Sequence, residues 1–254
     1  MKQASIKTTR RRRLAAILLI SAACAALPVL AAVPLTPHSA EYKVRFNVIS
    51  GQLNTDLRLT ADGYVATHSI APTGMARLFT RGSVVESSTF SSNDAGVIPM
   101  AYQSNDSLSR DKDQVDVRFD WHDNLAHGTV NGKDFESTLE GLSHDRVSIQ
   151  YQLMHDLLND SPDKQYRLFD IDKLKSLNIR TLGSREISVG AGTFTAVGVQ
   201  HQTENSSRVT TLWCVEELDY LPVIIEQHRN GKLRVQATLE SYSPLLADAP
   251  GNAE

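Results

Sequence analysis

The feature that most constrains this chain is the alternation of apolar and polar residues with a period of two. It recurs in four segments, which begin near residues 41, 52, 114 and 233. Successive side chains of a β-strand point to opposite faces, so each segment predicts a strand with one face in a core or cavity and one in water. The inward-facing members predicted for the four strands are Tyr42, Val44, Phe46 and Val48; Leu53, Thr55, Leu57 and Leu59; Val115, Val117, Phe119 and Trp121; and Leu233, Val235, Ala237 and Leu239.

Turn signals separate these segments at short intervals. The pairs Asn131-Gly132 and Asn230-Gly231 lie between alternating segments, which is the strongest short-range signal for a β-hairpin. Ser50-Gly51, Asp62-Gly63 and Gly190-Ala191-Gly192 indicate further turns. Connections this short join antiparallel strands.

One segment, from Ser143 to Pro162, departs from the strand pattern and predicts an amphipathic helix of about 14 residues. Ser143 or Asp145 is placed to cap its start. The predicted fold class is therefore mainly β: a single curved antiparallel sheet or open β-barrel with one amphipathic helix packed on it. The apolar stripe of the helix is formed by Val147, Tyr151, Leu153, Met154, Leu157 and Leu158.

The first 32 residues have the parts of a secretory signal peptide. Lys2, Lys7 and four consecutive arginines precede an uncharged apolar run that starts at Leu14 and ends in small residues. Cleavage near residue 32 predicts a periplasmic protein with no transmembrane segment after processing. Three alternatives stay open: the run is long enough to remain as an uncleaved inner-membrane anchor, Cys24 lies in a weak match to a lipoprotein processing site, and the arginines are a weaker, degenerate match to a twin-arginine export signal.

The charge and length of the remaining chain limit its partners and its architecture. Removing the first 32 residues leaves 20 Lys and Arg against 29 Asp and Glu, a net charge of −9. So acidic a chain predicts no binding to nucleic acid or to an anionic membrane surface. We expect residues 33–38 to form an extended leader, residues 39–245 a single β-rich domain, and residues 246–254 a disordered tail.

Candidate catalytic residues are few. Cys214 is the only cysteine of the mature chain, and the neighbouring Glu216 and Glu217 disfavour a thiolate. We expect it to be a buried residue of a strand, with catalysis by a scattered site that includes Cys214 as an alternative. His144 and His155 are 11 residues apart, about 16 Å along a helix, so they cannot share a metal ion. We expect these histidines to be exposed or helix-capping, and no metal, cofactor or catalytic motif is predicted.

The second half of the chain resembles a family of exported bacterial proteins of unknown function, DUF3108. The resemblance rests on the order and spacing of three motifs, Ser148 to Leu153, Gly192 to Val197 and Leu212 to Val223, and extends over roughly Ser39 to Tyr242. It implies a secreted, β-rich domain of the cell envelope and supplies no catalytic residues. By looser analogy, many antiparallel strands with one helix are similar to the half-barrels of periplasmic lipoprotein carriers.

These observations predict a non-enzymatic periplasmic or cell-envelope protein that binds a lipid or another apolar ligand. A curved sheet lined by residues such as Phe46, Phe119, Trp121 and Val235 provides for an apolar cavity. Tyr151 from the helix and Trp213 from a strand are the predicted ligand-lining residues. The alternative to a ligand is a structural or interaction module that binds an envelope protein partner.

Overall fold

The computed structural model describes residues 32–109, 113–160, 165–170 and 173–245. These residues form fourteen β-strands and one α-helix, α1 (Ser148–Leu158), together with 3₁₀ turns at Gly74–Leu78 and Glu216–Leu218. The predicted signal peptide and C-terminal tail lie outside the described residues. The strands are β1 (His38–Phe46), β2 (Ile49–Thr60), β3 (Gly63–Pro72), β4 (Val84–Asn93), β5 (Gly96–Asp106), β6 (Asp113–Asp120), β7 (Leu125–Val130), β8 (Lys133–Thr138), β9 (Gln165–Asp170), β10 (Lys173–Val189), β11 (Gly192–Thr203), β12 (Arg208–Val215), β13 (Leu221–Arg229) and β14 (Lys232–Pro244).

All fourteen strands belong to one antiparallel sheet, in the order β8-β7-β6-β5-β4-β3-β2-β1-β14-β13-β12-β11-β10-β9. The sheet is therefore two meanders joined by the pairing of β1 with β14. Its edge strands are β8 and β9, and the chain between them contains α1. Within that connection, the backbone of His144 pairs with β9 by bonding to Arg167 and Phe169. The predicted fold class, mainly β with one packed helix, is confirmed.

The antiparallel order places successive turns alternately at two ends of the sheet. One end holds the β1–β2, β3–β4, β5–β6, β7–β8, β9–β10, β11–β12 and β13–β14 connections, and we call it the cavity end for the cavity described below. The opposite end holds the remaining turns. Both Asn-Gly pairs form hairpins, β7–β8 and β13–β14. Their central residues have φ values of 53° and 74° and of 51° and 71°, as the type I′ turn requires.

The alternating segments pack their inward side chains around α1. Tyr42 and Leu57 are fully buried, and on the helix the ring of Tyr151 packs against that of Phe90 at a tilt of 30°, with ring centroids 5.4 Å apart. The prediction is wrong at strand ends, where the sheet no longer covers the side chain. Phe46 is 49% exposed and Leu59 and Leu233 are similarly open. Val48 lies in the β1–β2 turn, outside the core.

The helix is shorter than predicted and is capped by one of the two candidates. A carboxylate oxygen of Asp145 accepts hydrogen bonds from the backbone N–H groups of Val147 and Ser148, each at 2.8 Å. The expectation of exposed histidines is wrong for His144 and His155, which are each only 2% exposed. Both are buried because the connection and the helix lie inside the curve of the sheet.

Candidate ligand cavity

A cavity of about 900 Å³ lies between α1 and strands β9 to β13. Its size falls within the range typical of small-molecule sites. Strand residues two apart face the same side, so β10 and β12 each give it more than one side chain. The apolar lining residues are Ile149 and Leu153 from the helix, with Leu168, Leu177, Ile179, Leu212 and Ile225 from the strands.

Several of these apolar side chains are only half-buried. Ile149, Leu168, Ile179 and Ile225 keep part of their surface in contact with the cavity. Leu153 is deeper and packs with Leu177, Leu212 and Cys214 in a secondary hydrophobic cluster. The helix thus forms one wall and the β9–β13 strands the other, with these apolar side chains on both walls and polar residues, among them Thr203 to Arg208, in the rest of the lining.

A cluster of charges borders the cavity. Arg146 donates through Nε to Asp170 at 2.5 Å and lies 3.6 Å from Glu86, while Lys175 also bonds to Asp170. Burial alone would raise the pKa of Asp170, but hydrogen bonds from Lys175 and Arg146 outweigh it and hold that pKa below its usual 3.8. The Tyr102 hydroxyl donates to Glu86 at 2.6 Å. The cavity therefore combines apolar walls with a fixed polar edge.

The C-terminal half of α1 is held by a buried polar network beside a smaller cavity of about 230 Å³. Asp156 accepts from Gln152 at 2.7 Å and from the Tyr166 hydroxyl at 2.6 Å, and its oxygen lies 3.2 Å from Nδ1 of His155. His155 also bonds to the carbonyl of Asn93 at 3.0 Å. His155 thus ties the helix to the β4–β5 turn, and Asp156 ties it to β9.

The two predicted ligand-lining residues lie on α1 and β12, two of the elements that border the cavity, but neither is among its lining residues. Tyr151 is fully buried beside Gln150, which lines the cavity. Trp213 is 9% exposed, follows the lining residue Leu212, and has the Arg185 guanidinium 3.7 Å from its ring centroid. Neither ring belongs to the cavity lining, and a ligand contact for either stays a prediction.

Tyr151 is surrounded by polar groups as well as aromatic ones. Its ring lies 6.3 Å from His38 and 6.1 Å from His68, and Thr55 is the strand partner of His68. Four buried atoms here have no hydrogen-bond partner among the described residues: Nε2 of both histidines, Oγ1 of Thr55 and the Tyr151 hydroxyl. Burial lowers the pKa of His68 to about 4, so it is neutral at pH 7.

Cys214 is a buried strand residue, as predicted. It lies in β12, is fully buried, and packs with Leu153, Leu177, Val199 and Leu212. Burial raises the pKa of its thiol to about 12. A thiolate nucleophile therefore has no support at this position.

Within the described ranges, no group of three or more His, Cys, Asp or Glu side chains is arranged to hold a metal ion. No helix in these described ranges has the length and apolar character needed to cross a membrane. The apolar run of the first 31 residues lies outside them.

Sequence reasoning missed most of the cavity lining. Leu177, Ile179, Thr210 and Ile225 belong to strands β10, β12 and β13, whose alternation was not singled out. Leu177 and Ile179 are two residues apart and share a face, which is the signal that was available. Pattern alone does not separate a side chain that lines a cavity from one that fills a core.

Comparison with known proteins identifies a family and a fold. The family model DUF3108, "Protein of unknown function", matches residues 38–238. A β-barrel-like DUF1849 protein from Brucella abortus is similar in structure, with a TM-score of 0.59 and 11% identity over 84% of this chain and 100% of that one. A protein from Bacteroides fragilis assigned as exported, with a YmcC-like fold, gives a TM-score of 0.35 and 11% identity over 84% and 99%. No curated protein matches the sequence significantly.

Proposed function

Because the chain belongs to the DUF3108 family of proteins of unknown function, we propose its role from its cavity: it binds an amphipathic envelope ligand, such as a lipid, without catalysing a reaction. The observation that carries this proposal is the cavity of about 900 Å³ with apolar walls. A filled core of the same residues would leave no such space, since protein interiors are close-packed.

The chemistry of the lining favours a ligand with one apolar and one polar part. Ile149, Leu153 and Leu212 offer the apolar wall that an acyl chain requires. Arg146 and Lys175 stand at the edge of the cavity, with Arg208 and Arg229 also in the lining. Arg146 and Lys175 are already paired with Asp170, so Arg208 and Arg229 are the cations that suit an anionic or strongly polar headgroup.

Export by the N-terminal segment belongs to the same proposal. A basic start followed by an apolar run supports cleavage near residue 32 and a periplasmic location. Retention of the run as an anchor would keep the domain at the inner membrane. Determining the N-terminal residue of the purified protein separates these two cases.

The direct test is mass spectrometry of solvent extracts from protein purified natively out of the cell envelope. We expect a lipid or other apolar molecule at near-stoichiometric amount, absent from an unrelated periplasmic protein. Ile179→Arg places a charge in the cavity wall and should release the molecule. The matched control, Leu59→Arg, makes a similar change at an exposed strand end outside the cavity and should retain it.

An empty protein that stays empty after incubation with envelope lipids would overturn the ligand proposal. It would favour the interaction module, for which the exposed apolar side chains of the cavity end are the supporting observation. Tyr151→Phe and Trp213→Phe test the two predicted ligand contacts. Unchanged ligand occupancy in both variants would assign these rings to the core alone.

A further inference from the structure

Exposed large apolar side chains are concentrated at the cavity end. Ten are exposed among the described residues, and all except Val33 and Leu59 lie in or next to the turns of this end. The most exposed are Val48 at 97% and Phe79 at 84%. Isolated exposed apolar residues are normal, but a set of eight gathered at one end indicates an interaction surface. The eight are Phe46, Val48, Ile49, Met75, Leu78, Phe79, Val85 and Leu233.

Three connections carry most of this surface, and they are neighbours in the sheet. They are residues 45–51 of the β1–β2 hairpin, residues 73–83 between β3 and β4, and residues 228–234 of the β13–β14 hairpin. The backbone N–H of Thr73 donates to the Ser50 carbonyl at 3.0 Å, and that of Asn47 donates to the Arg234 carbonyl at 3.2 Å. We call these three connections together the docking rim.

The docking rim is cationic in a chain whose predicted mature form is acidic. It has no Asp or Glu. Its six cations are exposed, and within the described part of the chain none lies within salt-bridge distance of a carboxylate. The net charge of −9 predicted no attraction to anionic membranes, yet the local charge of this end is positive. The six are Arg45, Arg77, Arg81, Arg229, Lys232 and Arg234.

A groove of about 480 Å³ lies at the docking rim and shares lining residues with the ligand cavity. Phe46, Arg208, Arg229 and Arg234 line it, so three guanidinium groups surround one space beside an aromatic ring. Arg208, Gln227 and Arg229 also line the larger cavity. A phosphate headgroup suits this groove, because guanidinium groups bind phosphate oxygens in a bidentate manner.

From this arrangement we propose that the docking rim binds the surface of an anionic phospholipid bilayer. The apolar side chains of Val48, Leu78 and Phe79 enter the interface between headgroups and acyl chains, while the arginines contact lipid phosphates. Apolar insertion and attraction to anionic lipids act together in this kind of interfacial binding. Docking brings the mouth of the cavity to the bilayer, where an amphipathic ligand resides, but it does not depend on the cavity being occupied.

Site-specific fluorescence tests the proposal on the full chain, whether or not the N-terminal segment is retained. Phe79→Cys and, as control, Leu59→Cys each introduce one exposed thiol for an environment-sensitive label. Cys24 is replaced by Ser, and Cys214 is fully buried. Vesicles of phosphatidylethanolamine and phosphatidylglycerol should raise the emission of the label at residue 79 and leave that at residue 59 unchanged. Equal responses at both sites would overturn the proposal.

Charge reversal gives a second, independent measurement by vesicle flotation. Arg77→Glu combined with Arg234→Glu should lower the rim-dependent binding by at least about tenfold. Arg118→Glu combined with Arg167→Glu changes the net charge equally at exposed positions outside the docking rim and should leave binding unchanged. Added salt should weaken binding of the unaltered protein.

Two results would reject the membrane as the occupant of the docking rim. One is equal binding of both charge-reversed proteins to the vesicles. The other is absence of vesicle binding while residue 79 crosslinks to one envelope protein in cells, which would make the partner a protein. Either result leaves the ligand proposal standing, because mass spectrometry of the extracted ligand reports on the cavity alone.

Discussion

The two ends of the sheet both consist of connections between antiparallel strands and differ in chemistry. The hairpin turns at the opposite end carry carboxylates and contain no Lys or Arg. These turns are residues 60–63, 93–96, 120–125, 190–192 and 216–220, and their carboxylates are Asp62, Asp94, Asp120, Asp123, Glu216, Glu217 and Asp219. The docking rim has the reverse composition, with six cations and no carboxylate. One antiparallel sheet can thus present two unrelated surfaces, because its turns are free to vary while its strands form the core.

The ends also differ in what their turns expose. At the opposite end, Asp120 accepts from the backbone N–H groups of His122 and Asp123, and these bonds lower its pKa. Asn93 bonds to Ala95 in the neighbouring turn. At the cavity end, the side chains of Val48, Met75 and Phe79 extend into solvent. The turns of the opposite end are thus bonded among themselves, and those of the cavity end expose apolar side chains.

The largest predicted loss of stability comes from removing Asp145, which caps α1 and bonds it to Ser88 of β4. Asp145→Ala removes the acceptor of four hydrogen bonds, from Ser88, Val147 and Ser148, in a fully buried site. We expect a loss of about 3–5 kcal/mol in the free energy of unfolding, since several buried donors lose their partner. Urea unfolding measures it. Asp62→Ala, at an exposed turn, should change stability by less than about 0.5 kcal/mol.

Acid should weaken the fold through the buried histidine of the opposite end. Burial lowers the pKa of His144 from 6.5 to about 4, with Asp156 acting weakly in the other direction. His144 therefore binds a proton below about pH 6.5 in the unfolded chain, but only below about pH 4 in the folded protein. The contribution of His144 to the free energy of unfolding is full above pH 6.5 and falls by about 3 kcal/mol as the pH decreases to 4.

Unfolding measured across this pH window, in His144→Gln as well as in the unaltered protein, isolates the contribution of His144. The variant lacks the titrating group, so the slope of its stability against pH should be shallower. Identical slopes would show that His144 does not titrate as its burial implies.

A smaller effect compares one carboxylate from each end. Asp170→Asn at the cavity end removes the charge that pairs with both Arg146 and Lys175 and should cost about 1 kcal/mol, since these cations are partly exposed. Asp123→Asn at the opposite end alters only an exposed pair with His122, and its effect should be near zero. Thermal unfolding of the two variants measures the difference, and equal losses would contradict it.

The smallest effect on stability is expected in the docking rim itself. Phe79→Ser should change the free energy of unfolding by less than about 0.5 kcal/mol, because the ring is 84% exposed. Phe90→Ser, in the core, should cost about 4 kcal/mol. Chemical denaturation of both variants makes the comparison. A large loss in Phe79→Ser would assign that ring to folding and remove it from the docking surface.

Much of the fold could be predicted because its signals are local. Alternation identified β1, β2, β6 and β14, and the Asn-Gly pairs identified two hairpins. The helix was placed correctly but predicted too long, and Asp145 was one of two candidate caps. The errors fall where distant segments decide exposure. His144 and His155 carry polar side chains that predict a surface position, yet the curve of the sheet buries them. Phe46 continues an apolar pattern that predicts burial, yet it lies at a strand end that neighbouring strands do not cover.

For the candidate site, the sequence predicted an apolar ligand site and gave Tyr151 and Trp213 as its lining, whose ligand contacts stay predictions. The observed lining comes from α1 and from strands β9 to β13, and Leu153 and Leu212 are separated by 59 positions in the chain. No local pattern links such residues. Only the pairing order of the strands brings them to one space.

The sequence by itself determined the fold class, because the direction of a strand side chain follows from position along the chain and each turn from one or two residues. It also determined the chain's net charge. Only the tertiary structure decided that α1 leaves a cavity beside β9 to β13, and that three turns distant in sequence combine into a cationic, apolar rim. Cavities and surfaces depend on distances between segments, and those distances are set by strand order and sheet curvature, which hydrophobic periodicity does not specify.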